Sequence, residues 1–262
     1  MSALRNIGAI FQKEWRHYFG SPIAYVALFV WTLLFGAFFY FALFFFLEQS
    51  QRAGGMDFGG GAKISMNEYL IRPLLHNMSV VALFIAPMLT MRLFAEEKRQ
   101  GTIELLATSP VTDLEIVLGK FLAAVGLYAL MILSGFLNLA MPYFLAANPP
   151  EWKPLATGGL GILLLGSCFI ALGCFVSTLT RNQIVAGILA FCLFLGIWIL
   201  GWAEDPAGGD FKKAIAYLGV TTHLEDLLKG IVDLKDIVFY LSFILFGVFL
   251  THRSLESQRW RA

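Results

Sequence analysis

The sequence predicts an all-α, polytopic membrane protein. It should have six transmembrane helices, an N-terminal helix at the membrane interface and a short cytoplasmic helix between two of the spans. The first observation is composition: of 262 residues, 58% are hydrophobic and only 14% are charged, and the mean hydropathy is +0.72. Soluble domains are about half apolar and a quarter charged. The second observation is that apolar runs long enough to cross a bilayer, about twenty residues, recur along the chain. We therefore expect one membrane domain over residues 1–262.

Each of the six predicted spans is long enough to cross the hydrocarbon core as a helix. The first and third are longer than the core requires, so they should tilt or bend. Pro87 and Pro142 fall inside spans, where each removes a backbone donor and should kink its helix. The predicted spans are residues 22–47, 76–95, 117–146, 155–179, 184–203 and 236–252.

The N-terminal segment, residues 2–21, has the pattern of a basic amphipathic helix lying at the cytoplasmic interface. Gly20, Ser21 and Pro22 end it. Charged residues recur every few positions, so we favour an interfacial helix over the alternative that the segment is the start of the first span. The predicted apolar face is Leu4, Ile7, Phe11, Trp15 and Tyr18, and the other positions hold Arg5, Lys13, Arg16 and His17.

Basic residues near the span ends favour an orientation in which both termini are cytoplasmic. The Arg-rich tail, Arg253 to Arg261, then lies on the same side as the basic N-terminal segment. The loop after the fifth span, residues 204–235, lies on the outside. It should hold a short amphipathic helix, since Leu224, Leu227, Leu228 and Ile231 have helical spacing. Thr222 with Glu225 has the spacing of a capping box.

A charged block between the second and third spans, residues 96–116, has the most specific pattern in the chain. Its first residues, Glu96–Arg99, should continue the second helix out of the membrane until Gly101 breaks it. A short helix follows, and Ser109-Pro110 ends it, because the residue before a proline avoids helix. A capping box, Thr112–Glu115, then begins the next helix. The block is either an ordinary solvated loop or a surface on which a partner acts.

Motifs that would give the chain its own chemistry are missing from the sequence. There is no phosphate-binding loop: Gly119-Lys120 is followed by Phe121, and no glycine stands five residues before Gly119. The three cysteines lie in apolar runs and lack metal-ligand spacing, so we expect no metal site. A net charge of +1 excludes a broad nucleic-acid-binding face. Inside the spans we find no paired carboxylates and no histidine with a partner acid, which argues against an ion-coupled transporter.

Three segments resemble a known family. The run A-E-E-K-R-Q-G-T-I-E-L-L-A-T-S-P-V-T-D-L-E-I-V-L-G-K, residues 95–120, resembles the cytoplasmic signature of type-2 ABC transporter permeases. Residues 177–183 resemble that family's loop between spans four and five. Residues 223–236 resemble the outer segment of the gliding-motility (GldF-type) branch. The resemblance covers most of the chain from residue 66 onward.

The resemblance implies half of an ATP-driven transporter in a bacterial cytoplasmic (inner) membrane. Such permeases dimerise, as homodimers or heterodimers, and bind two copies of a separate ATPase subunit, which alone would carry ATP and magnesium. The residues that would form or brace the ATPase contact at the coupling helix are Glu96, Glu97, Gly101, Thr102, Glu104, Leu105, Ser109 and Pro110. The second cytoplasmic loop would be Thr180, Arg181, Asn182 and Gln183.

Three functions remain open at this point. The favoured one is a permease subunit that couples the ATPase to export or translocation of an unknown substrate. The second is a mechanotransmission permease, which passes ATP-driven motion to a periplasmic or membrane-anchored partner without moving a solute. The third, an intramembrane enzyme or channel, is disfavoured by the missing polar groups. The sequence indicates neither the substrate nor the residues that bind it.

Overall fold

The computed structural model describes residues 3–55, 65–102, 111–146, 149–201 and 217–259. This described part of the chain consists of helices and turns and contains no strand. A single π-helical turn, Asn67–Ile71, leads into the third helix. The helices are α1 Ala3–Gly20, α2 Pro22–Gly55, α3 Arg72–Thr90, α4 Ala95–Gln100, α5 Asp113–Phe136, α6 Ala140–Leu145, α7 Trp152–Leu179, α8 Gln183–Leu200, α9 Thr222–Leu228 and α10 Leu234–Arg259.

Six helical stretches in the described residues are long and apolar enough to cross a membrane, so the predicted fold class is confirmed. The second stretch extends well beyond the predicted 76–95 at both ends, since it includes the π-helical turn before α3 and the charged helix α4 after it. The stretches are Pro22–Arg52, Asn67–Gln100, Asp113–Leu145, Trp152–Leu179, Gln183–Leu200 and Leu234–Gln258.

Pro87 and Pro142, the two prolines predicted to kink spans, each lie near an irregularity in their helix. Helix α3 ends at Thr90, three residues after Pro87, and a turn over residues 91–94 separates it from α4. In the third span, the helix tightens to a 3₁₀ turn at Leu137–Leu139, just before Pro142. A proline cannot donate to the carbonyl four residues earlier. For Pro142 that carbonyl belongs to Asn138, inside the 3₁₀ turn, whereas for Pro87 it belongs to Leu83, inside the regular part of α3, so the turn at 91–94 is not explained by the missing donor.

Helix α7 lies at the centre of the bundle and packs against α3, α5, α8, α9 and α10. Its glycines allow the neighbouring helices to approach closely, as small residues do between transmembrane helices. A Cβ atom at Gly166 would lie 2.1 Å from Cε1 of Tyr128 on α5, and one at Gly173 would lie 2.3 Å from Oγ1 of Thr90 on α3. The central position of α7 therefore depends on residues without side chains.

Replacing Gly166 with alanine should destabilise the bundle by about 1–3 kcal/mol, because the added methyl group overpacks the buried contact with Tyr128. The thermal unfolding midpoint of the detergent-purified protein measures this. Gly196→Ala is the matched control, since Gly196 is also in a spanning helix but has nothing within 4 Å of the added atom. An unchanged midpoint for Gly166→Ala would contradict the packing.

Helix α1 runs alongside the first turns of α5. The side-chain amide of Asn6 donates to Glu115, and the side chain of Ile10 occupies the space beside Gly119. The ring of Trp15 lies against Gly126 in the same way. Leu4, which the sequence pattern placed on the apolar face, is 81% exposed. The reason is geometric: α5 begins at Asp113, two residues before the Glu115 that Asn6 contacts, so Leu4 lies at the very start of its neighbour.

Helix α9 lies at the opposite end of α7 from α4, and we call this the far end of the bundle. Three residues of its predicted apolar face, Leu224, Leu227 and Leu228, are buried. The fourth, Ile231, was predicted wrongly: α9 ends at Leu228, before Gly230 with its φ of 88°, and Ile231 is 54% exposed. The predicted capping box is wrong: Thr221 is the N-cap residue and makes no side-chain capping bond. The Glu225 carboxylate lies 3.3 Å from the Arg72 guanidinium instead.

A histidine–carboxylate pair lies at the edge of the sixth span, with its histidine outside the spans in which no such pair was expected. Asp236, in the first turn of α10, lies 2.7 Å from Nδ1 of His223, and both side chains are buried. The pair was missed because His223 belongs to the preceding loop, thirteen positions earlier in the chain. A search for paired residues within one span does not find a partner that belongs to a neighbouring segment.

Candidate coupling site

The start of α4 is capped by a side chain from the fourth span. The hydroxyl of Ser177, near the end of α7, accepts hydrogen bonds from the backbone N–H groups of Phe94 and Ala95, both at 3.1 Å. It donates to the carbonyl of Met91 at 3.2 Å. The first N–H groups of a helix have no partner inside the helix, so Ser177 supplies one from elsewhere. Helix α4 is thereby fixed to the end of α7.

A second connection joins α4 to α10 through the same end of α7. The ammonium of Lys98 donates to the carbonyl of Thr178, and the amide of Gln258 donates to that carbonyl at 3.1 Å. The hydroxyl of Thr178 also lies 2.7 Å from that of Ser254 on α10. Residues 177 and 178 are thus the junction at which the second, fourth and sixth spans meet.

Lys120 forms the centre of an ion cluster that joins α1, α4 and α5. Its ammonium lies 2.9 Å from Glu14 Oε1, 2.9 Å from Glu97 Oε1 and 2.9 Å from the carbonyl oxygen of Leu93. The Lys120 side chain is 2% exposed. All three of its donors therefore have acceptors, which is the condition for burying a charge. Lys13, on the exposed side, also pairs with Glu97 at 3.2 Å.

The Glu14 carboxylate is held ionised in this cluster. Burial raises the pKa of Glu14, but the ammonium of Lys120 and its hydrogen bond lower it more, so the pKa lies below the ordinary value. The carboxylate is charged at neutral pH and the ion pair is complete. Glu14 is thus the acid through which the N-terminal helix attaches to the third span.

Both ends of the segment between α4 and α5 are fixed. Gly101 ends α4 with a φ of 71°, a left-handed conformation that favours glycine, as predicted. The N–H of Thr102 then donates to the carbonyl of Glu97 at 3.0 Å. At the other end, the predicted capping box is present, because Thr112 and Glu115 exchange side-chain to backbone hydrogen bonds of 2.9 and 3.3 Å.

The comparison with known families identifies the chain. The model for ABC-2 family transporter proteins matches residues 8–250, which is nearly the whole sequence. The chain belongs to the ABC-2 transporter family. No curated protein gives a significant match to it.

Membership in the ABC-2 family makes this chain a multi-pass membrane component of an ABC transporter. Permeases of the ABC-2 family generally have no catalytic role themselves, and membership implies an ABC ATPase subunit as a partner. The type-2 permease resemblance of residues 95–120 is therefore confirmed at the level of the family.

Within this ABC-2 chain, the predicted coupling residues that are described make contacts in and beside α4. The Arg92 guanidinium makes two hydrogen bonds to Glu96, of 2.9 and 3.2 Å, and Glu97 belongs to the Lys120 cluster. Gly101 and Thr102 end α4. The other four predicted positions, Glu104, Leu105, Ser109 and Pro110, lie outside the described residues.

The second predicted loop forms the turn between α7 and α8. The side-chain oxygen of Asn182 accepts a bond of 2.9 Å from the N–H of Ile184 and so caps α8. The hydroxyl of Thr180 accepts from the N–H of Asn182 at 3.1 Å. Arg181 is exposed, and Gln183 is the first residue of α8.

Four residues that connect the site were not predicted as part of it: Glu14, Lys120, Ser177 and Thr178. In the sequence, Lys120 was considered only as the lysine after Gly119 and as the last residue of the run that resembles the family signature. One signal existed for the serine and threonine, since both lie within the segment that resembles the family loop. The partner of Lys120 is 106 residues away, so no local pattern could indicate it.

Proposed function

We propose that this chain is the permease subunit on which a separate ATPase acts, and that the ATPase contacts the cytoplasmic segment 96–116. The observation that carries the proposal is the fixation of that segment at both ends. Its first end is held by Ser177 and its second by the Lys120 cluster. A force applied between these two ends reaches α7 through α4. The same force reaches α1 through α5. Packed helices move as rigid bodies, so such a contact can shift the spans.

The cavity beside α4 supports a docking role for this end of the molecule. It has a volume of about 290 Å³ and lies between α1, the end of α3 and α4. Its lining includes Lys13, Arg92, Glu96 and Glu97, so it presents both signs of charge. One oxygen of Glu97 is buried without a hydrogen-bond partner. A donor group from an ATPase subunit would satisfy it.

Charge reversal in the segment tests the docking directly. Glu104→Lys should abolish co-purification of the ATPase subunit, since it reverses one charge at the proposed contact. Glu151→Lys is the control, because Glu151 is exposed at the far end of the bundle. Thermal unfolding midpoints show whether each variant is folded. If folded Glu104→Lys still binds as much ATPase as the parent protein, the proposed contact is wrong.

We propose that the chain dimerises, as its family resemblance implies, and that a second permease chain would bind at the exposed faces of α2 and α8. In the spanning windows of these two helices, only 22% and 17% of residues are buried inside the chain. On α8, Ile184 and Ile188 are 70% and 58% exposed. Such faces contact either lipid or a second permease chain. Cross-linking of cysteines introduced on α8 would distinguish a neighbouring chain from lipid.

The mechanotransmission function is the second candidate, and one observation favours it. In the segment that resembles the gliding-motility branch, Ile231, Val232 and Leu234 are 54%, 53% and 72% exposed at the far end. An apolar patch there is suited to a periplasmic or membrane-anchored partner. Transport measured in sealed vesicles that contain the complete complex separates the two functions. ATP-dependent movement of a solute supports the permease function. ATP hydrolysis without solute movement supports the mechanotransmission function.

A further inference from the structure

The turn between α9 and α10, at the far end of the bundle, brings three carboxylates together. Asp226 belongs to α9, Asp233 precedes α10, and Asp236 lies in its first turn. One oxygen atom from each lies within 4.8 Å of the others. Three negative charges at this separation repel one another unless a positive charge lies among them.

Asp236 provides the second observation, because half of its carboxylate has no partner. The side chain is 1% exposed. Its Oδ1 accepts from His223 at 2.7 Å, whereas Oδ2 is buried and has no hydrogen-bond partner. An unpaired oxygen of a buried carboxylate is costly, so a ligand that binds it would stabilise the structure.

Two lysines neutralise the cluster only from its exposed side. The ammonium of Lys235 lies 3.0 Å from Asp233 and 3.7 Å from Asp226, and that of Lys229 lies 3.4 Å from Asp226. Their side chains are 55% and 39% exposed, so both can move into solvent. In the described part of the chain, the side chain that lies within hydrogen-bond distance of the Asp236 carboxylate is that of His223.

A cavity reaches the cluster from outside. Its volume is about 440 Å³, and its lining includes Asp226, Asp236 and Lys235 together with the aromatic residues Trp198 and Tyr217. An ion can therefore reach Asp236 although the side chain itself is almost fully buried.

We propose that Asp226, Asp233 and Asp236 form a divalent-cation site, with calcium as the ion that fits best. Carboxylate oxygens are the ligands that hard cations prefer. Two ligands of one Ca²⁺ ion can be separated by up to about 4.6–5.2 Å, twice the metal–oxygen distance. For Mg²⁺ the limit is about 4.0–4.2 Å. The 4.8 Å upper limit on the separations of the three oxygens falls within the range for calcium and above that for magnesium, so calcium requires the smaller adjustment. The ion would draw the three carboxylates inward, replace the Lys235 ammonium and join α9 to α10.

Terbium luminescence tests the site in the detergent-purified full chain. Tb³⁺ binds calcium sites, and Trp198 and Tyr217 line the same cavity, so excitation of these aromatic residues should sensitise a bound ion. We expect a saturable signal that added Ca²⁺ displaces. Asp233→Asn should weaken Tb³⁺ binding by at least about tenfold. Lys235→Gln should strengthen it, because the competing ammonium is removed.

Glu151→Gln is the control, since Glu151 is an exposed acid at the same end, and it should leave the signal unchanged. The Asp233 side chain is 48% exposed, so the Asn variant is expected to fold, and its melting midpoint checks this. The proposal is overturned if no saturable signal occurs, or if Asp233→Asn and Lys235→Gln both leave it unchanged. The test needs no ATPase subunit, so its outcome is independent of the proposed function.

Discussion

Lys120→Met should be the most destabilising single substitution at the coupling site. It removes the buried ammonium that Glu14 and Glu97 share and leaves them the exposed Lys13 as a cationic neighbour. Breaking a buried ion pair from one side costs about 3–5 kcal/mol, because the remaining charge stays buried. We expect a large fall in the thermal unfolding midpoint and in the yield of protein from membranes.

A combined variant separates the charge effect from simple loss of packing. Methionine is close to lysine in length, so Lys120→Met together with Glu14→Gln and Glu97→Gln removes the charges while keeping the volume. This variant should recover most of the lost stability, since a buried ion cluster can often be replaced by neutral groups. If the triple variant is as unstable as Lys120→Met alone, the cluster is not held by its charges.

Ser177→Ala is the second substitution with a large expected effect. It leaves the buried N–H groups of Phe94 and Ala95 without their acceptor. Each unsatisfied group costs about 1–3 kcal/mol, so the attachment of α4 to α7 should weaken. We expect a lower unfolding midpoint and easier proteolysis near Gly101, while the ATPase still co-purifies. The transmission of ATPase motion to the spans should therefore be reduced more than the binding of the ATPase subunit.

Ser167→Ala is the matched control for that experiment. Ser167 lies on the same helix and is also buried, but its hydroxyl bonds the carbonyl of Leu163, one turn earlier in its own helix. Its loss leaves no N–H group of another helix unpaired, so the effect should be small. Equal destabilisation by Ser167→Ala and Ser177→Ala would contradict the capping role of Ser177.

Features that depend on near neighbours in the chain could be predicted from the sequence. Six apolar runs predicted six spans, because length and hydropathy alone decide whether a helix can cross a bilayer. The break at Gly101 and the capping box at Thr112–Glu115 were predicted for the same reason, since each involves only a few consecutive residues.

Contacts between distant segments could not be predicted in this way. Ser177 caps a helix start that is 82 and 83 residues away in the chain, and Lys120 pairs with an acid on the N-terminal helix. A serine near the end of an apolar run has the same local pattern whether it faces its own helix or another. The docking roles of all the predicted coupling residues, the described ones as well as Glu104, Leu105, Ser109 and Pro110, stay predictions.

Site-specific photo-cross-linking tests the central claim most directly, namely that the ATPase contacts the segment between α4 and α5. A benzophenone amino acid placed at Leu105, in cells that contain the complete transporter, should cross-link this chain to the ATPase subunit. The same probe at Glu151, at the far end, should not. Cross-linking from Glu151, or none from Leu105 in a complex that still contains the ATPase, would contradict the account.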